Sequence, residues 1–161
     1  MHWADNNFRV ISCCLGFTVQ YCAVSVVIGV DAVLVEWSVG DVVQFEERIV
    51  SQSRALLSDG SQAQVQSEVD ELDEFLSRVF GLQTRLVVVE RANSLALCFI
   101  CMTLSALMSL RDQWYSRQLR EIVQALFTFF SGATRTVRVR RLIWPLIDYE
   151  RCLEFFSSVQ G

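Results

Sequence analysis

Histidine occurs once in these 161 residues, as His2; lysine does not occur at all; and charged residues make up only 20%. A single histidine removes the paired ligands of a zinc hydrolase and the base of a Ser-His-Asp or Cys-His centre. No G-x-G-x-x-G run and no phosphate-cradling Walker loop is present either. The sequence therefore leads us to expect no enzyme: no catalytic residue, no cofactor, no metal site and no small-molecule substrate. The scarcity of charge, set against 52% hydrophobic residues, excludes disorder and a charge-laced coiled coil, and seven glycines with one proline exclude a collagen-like chain. Fourteen arginines against eighteen acids leave a net charge of −4, which speaks against nucleic acid as a partner.

Six cysteines are present: Cys13, Cys14, Cys22, Cys98, Cys101 and Cys152. Five lie in the most apolar stretches, where cysteine serves as a small packing residue. Cys98 and Cys101 make a C-x-x-C, but Phe99 and Ile100 fill it and neither turn glycines nor further ligands flank it, so packing is favoured over redox or zinc chemistry. The first apolar run is longer than a signal-peptide core, and Asp31 interrupts where cleavage would fall, so the run is expected to stay in the mature chain.

What the sequence does have is two long runs without charge. Residues 10–30 hold 21 such residues, ending at Asp31, with Trp37 beyond; as a helix rising about 1.5 Å per residue they would span a bilayer core of roughly 30 Å. Residues 92–110 hold 19 more, bounded by Arg91 and by Arg111 and Asp112, with Trp114 and Tyr115 where an interfacial aromatic belt would sit. A valine-rich strand over 24–43 is the competing reading of the first region, but Val26, Val27 and Ile28 are consecutive and break the alternation. A buried core helix is the competing reading of both. Length and flanks favour an all-α fold, a small helical membrane protein built as a two-span hairpin with amphipathic flanking helices, in one domain over 1–161: first span 10–37, acidic connector 38–91, second span 92–110, basic C-terminal region 111–161. Asp31, Arg91 and Arg111 are then span-flanking charges.

In the connector, Asp41 is expected to cap a helix bearing Phe45, Ile49, Leu56 and Leu57, and residues 58–61 to turn. Ser61 and Gln64 have capping-box spacing and open a second helix through Phe80, with Val65, Val69, Leu72, Leu76 and Val79 along one side. Glu68, Asp70, Glu71, Asp73 and Glu74 crowd the other side; EF-hand spacing is missing, and a solvated face is the reading. Residues 38–91 carry ten acids and five arginines, whereas 111–161 carry eight arginines and five acids. Counting positive residues near the spans puts both termini on the cytosolic or equivalent side. After the second run, 114–130 reads as an amphipathic helix with Leu119, Ile122, Val123, Leu126, Phe127 and Phe130 together. Arg135, Arg138 and Arg141 then recur every third residue beside Arg140, a pattern for lipid headgroups or an acidic partner. Pro145 precedes a short helix over 147–159.

The stretch 90–130 resembles polycystin-type cation channels around their fourth membrane helix and the linker after it, through Arg91 and Asn93 opening an apolar helix, Arg111 closing it, and Arg117 and Leu119 in the linker. The resemblance implies that the first run corresponds to the third helix and that the chain is a sensor-like piece. It departs from the pattern where Trp114 follows Gln113 without the linker proline, and after residue 132 no pore helix or filter follows. The expected function is a non-catalytic integral membrane subunit, in an organelle or endomembrane, that stabilises a larger respiratory or photosynthetic-type complex, with membrane lipids and larger subunits as partners. A modulatory module of a polycystin-type channel is the alternative, and a soluble helical interaction protein a third.

Overall fold

A computed structural model describes residues 9–15, 19–34, 39–57, 66–91, 95–131 and 137–160. The elements in chain order are β1 (Arg9–Leu15), β2 (Val19–Leu34), α1 (Val39–Leu57), α2 (Gln66–Phe80), β3 (Thr84–Arg91), β4 (Leu95–Cys101), α3 (Leu104–Tyr115), α4 (Gln118–Ser131), β5 (Val137–Ile143) and α5 (Leu146–Gln160).

Both uncharged runs enter one antiparallel sheet, which overturns the all-α fold. Residues 19–34 form a 16-residue strand, not a helix. Valine and isoleucine have restricted χ1 in a helix and pack well on a pleated surface, so a run as rich in them as 24–30 favours the strand once other strands pair with it. Residues 92–110 divide instead of spanning: β4 ends at Cys101, Thr103 is extended (φ −136°, ψ 159°), and its hydroxyl accepts from the Ala106 amide at 3.1 Å, capping α3. Among the described residues no helix is long and apolar enough to cross a membrane. The two-span hairpin, the transmembrane helices, the integral membrane placement in an organelle or endomembrane, and the inside–outside assignment all fall with this result. The described residues of the stretch that carries the polycystin resemblance fall at the end of β3 and in β4, α3 and α4.

The sheet order is β1-β2-β4-β3, with β5 also on β2. Val24 and Ser25 pair with both β1 and β4, and Gly29 and Val30 with both β4 and β5. A residue has only two edges, so β1 and β5 lie end to end along one edge of β2 and β4 along the other. Alternation sorts the faces. Val24, Val26, Ile28 and Val30 pair with Cys101, Phe99, Leu97 and Leu95, and all eight are at most 3% exposed. Leu86, Val89, Val137 and Val139 extend this face, and the buried residues of α1, α3 and α4 pack on it in one cluster. Phe99 meets Phe80 edge to face at 5.2 Å, and Phe45 meets Phe127 at 6.5 Å. On the opposite face Ser25, Val27, Cys98 and Ile100 are half-buried, whereas Ala23, Gly29 and Ala96 are buried.

The helices match their sequence pattern more closely than the strands do. In α1 Phe45, Ile49 and Leu56 are buried, with Asp41 in its first turn. In α4 all six expected residues from Leu119 to Phe130 are buried, although the helix expected over 114–130 is broken at Ser116 and Arg117, the latter at φ 68°. Gly81, at φ 76°, ends α2 and donates its amide to the Ser77 carbonyl at 2.9 Å, a left-handed cap that glycine adopts without a Cβ penalty. The expected turn over 58–61, the Ser61–Gln64 capping box, Trp37, Asn93 and Arg135 lie outside the described residues.

Three positions apart on a strand, Cys98 and Cys101 face opposite sides of the sheet. Cys101 is fully buried within hydrogen-bonding reach of the Thr84 hydroxyl (4.0 Å), and Cys152 is buried on α5. Burial pushes the Cys101 thiol up from 9.0 to about 12, with the Thr84 contact opposing, and burial likewise pushes Cys152 up to about 12, reinforced by Cys101 and Asp148. A folded-state value above the unfolded one means that the unfolded chain loses these protons first. The thiols' contribution to stability is therefore intact below pH 9 and declines as the pH rises from 9 toward 12. Denaturant titrations across that window should show this decline, and Cys101→Ala/Cys152→Ala should flatten it; an equally steep decline in the double variant would contradict the assignment.

Candidate partner-binding site

Helix α2 is amphipathic, with Leu72 buried, Val69, Phe75, Leu76 and Val79 half-buried, and Glu68, Asp70, Glu71, Asp73 and Glu74 exposed. Its packing on the rest of the molecule is incomplete. Between α2 and α4 lies a cavity of about 340 Å³ lined by Glu71, Leu72, Glu74, Phe75 and Arg78 on one wall and Ala125, Leu126 and Phe129 on the other. Leu72 and Leu126 form a closed apolar floor at 2% and 1% exposure, while Phe75 and Phe129 present half-buried rings above it. Glu71 and Glu74 stand on the lip, and the Arg78 guanidinium lies 5.5 Å from the Phe75 ring centroid. Over 66–80 the helix carries five acids and this one arginine.

The groove has the apolar floor of a binding cleft, but its described lining holds no set of buried polar groups converging on one point, as orientation of a small ligand requires. Among the described residues no group of three or more His, Cys, Asp or Glu is placed to hold a metal ion. The sequence marked α2's acids as a solvated face, which they are; it carried no sign that α4 would stand far enough away to leave Phe75 and Phe129 part-exposed above a cleft.

The charges that the sequence singled out lie elsewhere. Arg111 does not flank a span; it is 3% exposed. Its guanidinium carbon lies 4.2 Å from the Trp114 ring centroid and 4.9 Å from each of Tyr115, Trp144 and Tyr149. Nη1 donates to the Trp144 carbonyl at 2.9 Å, and Nη2 to the Tyr115 hydroxyl at 3.4 Å. Trp114 and Tyr115 thus serve as two walls of an aromatic cage around a cation, and not as a membrane belt. Arg111 fills the cage from within, so it ties α3 to the β5–α5 junction. Asp31 lies inside β2, paired with Arg141 of β5 at 3.3 Å, an exposed contact of small energetic weight. Arg91 ends β3.

The described part of the arginine row is a strand. In β5 Val137 and Val139 are buried while Arg138 and Arg140 are exposed. A bulge opposite Asp31 and Ala32 makes Arg140 the extra residue, which returns Arg138 and Arg141 to one face. The outer edge of β5 is closed by helix side chains: Gln124 Oε1 accepts from the Val139 amide at 3.1 Å, and Arg120 and Trp114 donate to the carbonyls of Arg140 (3.5 Å) and Leu142 (3.2 Å). The structure thus brings Arg138 and Arg141 together but leaves them apart from Arg91 and Arg111, and none of these lines the α2–α4 groove.

No protein-family model, no curated protein and no solved structure matches this chain.

Proposed function

We propose that the chain is a non-catalytic assembly module that holds a basic amphipathic helix of a partner protein between α2 and α4. The observation that carries this reading is the groove itself: an apolar floor in a cavity of about 340 Å³, beneath a lip carrying Glu71 and Glu74. A helix with apolar residues at i, i+3 and i+4 would set two or three side chains on Leu72, Phe75, Leu126 and Phe129. Arginine or lysine on its flanks would face the acids of α2, which raises the association rate and selects against acidic competitors. The lone histidine and the lack of a nucleotide loop support a binding role over a catalytic one.

The test uses a synthetic leucine- and lysine-bearing amphipathic helix, with its glutamate-bearing counterpart as control. The basic peptide should bind, more weakly as salt rises. Glu71→Lys/Glu74→Lys should weaken it about tenfold or more, since each rim charge contributes on the order of 1 kcal/mol and reversal doubles the effect. Ala125→Arg, an exposed substitution that fills the groove mouth, should abolish binding while leaving thermal stability unchanged. Equal binding of the acidic peptide, or indifference to Ala125→Arg, would overturn the reading.

A further inference from the structure

The two ends of the sheet differ. The β5 edge is closed by Gln124, Arg120 and Trp114, whereas β3 ends the strand order and, among the described strands, pairs with β4 alone. An edge strand offers a row of backbone donors and acceptors to another chain. The residues of β3, TRLVVVER, are exposed at Arg85, Val87 and Glu90 and buried at Leu86 and Val89. Arg85 pairs with Ile100 and Glu90 with Ala96, four residues apart on β4, so the two exposed charges share the face opposite the core although they are five residues apart on β3. The cause is a bulge: Leu86 pairs with Phe99 and Val88 with Cys98, leaving Val87 as an extra residue.

We propose that the outer edge of β3, which no other described strand pairs with, joins antiparallel with β3 of a second copy of this chain, about a two-fold axis between Val87 and Val88. Such an axis pairs Arg85 with Glu90 of the other copy, Leu86 with Val89, Val87 with Val88, and the reciprocals of each. Both charge pairs are then opposite in sign, and the 41%-exposed Val87 lies at the centre. The bulge makes the second copy a better match than a regular strand. Paired residue by residue, a regular strand in register at Arg85 and Leu86 presents the wrong face at Val89 and Glu90. The two-fold sets one bulge against the other, so that residue count and facing agree at both ends. The result is an isologous contact, closed after two copies, which joins two five-stranded sheets.

Light scattering on size-exclusion fractions of the full chain, over a dilution series, tests the proposal. The wild type should be a dimer that dissociates on dilution. Arg85→Glu places like charges at both pairs, as does Glu90→Arg, and each should weaken the dimer about tenfold or more. Both positions are exposed, so circular dichroism should match the wild type. An equimolar mixture of the two variants should dimerise again, because the two acids of the Arg85→Glu copy then oppose the two arginines of the Glu90→Arg copy. The double swap Arg85→Glu/Glu90→Arg should dimerise alone. A wild type monomeric at every concentration, single variants that dimerise as the wild type does, or folded variants that fail to recover on mixing would each overturn it. The groove between α2 and α4 is untouched by these substitutions, so peptide binding reads out separately.

Discussion

Arg111→Ala should lower the melting temperature by roughly 6–12 °C, corresponding to about 3 kcal/mol in a chain of this length. A desolvated cation–π contact contributes about 2 kcal/mol or more, and a hydrogen bond from a charged donor about 1.5–3 kcal/mol. Arg111 combines four ring contacts with a 2.9 Å bond to the Trp144 carbonyl, at 3% exposure. Alanine removes these contacts, leaves the carbonyl without its donor and opens a hole among the rings. Arg111→Lys keeps the charge but loses the flat guanidinium that faces several rings at once, and should fall between alanine and the wild type. Tyr115→Ala removes the most exposed wall, a residue 62% exposed, and should cost much less. If Arg111→Ala melts with the wild type, the cage does not hold the β5–α5 junction as described.

Phe99→Ala is the second large effect, expected at about 3–5 kcal/mol in urea unfolding. Phe99 is fully buried, faces Val26 across the β2–β4 ladder and Leu86 across β3, and meets the Phe80 ring edge-on. Met102, three residues on in the same uncharged run, is 41% exposed, and Met102→Ala should stay within about 0.5 kcal/mol. The contrast is specific to the fold: a lipid-embedded helix would make no such division between the two residues. Similar costs for both would argue against the strand.

How much of this was legible in the sequence depended on where each pattern is completed. Helices α2 and α4 announced themselves because a 3.6-residue period is local: the apolar residues of α4 are buried, and those of α2 are buried at Leu72 and half-buried at Val69, Phe75, Leu76 and Val79. Strand β2 was obscured by Val26–Val27–Ile28: an internal strand is apolar on both sides, so alternation fades where pairing is most extensive, and length alone then resembles a span. The break in 92–110 turned on Thr103, one capping hydroxyl within an otherwise apolar run. In β5 the threefold arginine spacing gave no secondary structure, while the alternation of Val137 and Val139 with Arg138 and Arg140 was the strand signal. Of the cage around Arg111, Trp114 and Tyr115 are neighbours in sequence, but Trp144 and Tyr149 arrive only through the chain's return along β5 and α5. The groove was the least legible, since it is a gap between two helices whose faces were each read correctly.

Backbone assignment by nuclear magnetic resonance tests the central claim, that both uncharged runs contribute strands to one sheet, most directly. We expect extended-strand shifts over 24–30 and 95–101, a change to helical shifts beyond Thr103, and cross-strand proximities linking Val26 with Phe99 and Ile28 with Leu97. Unbroken helical shifts from 92 to 110, with no proximity between the two runs, would contradict it.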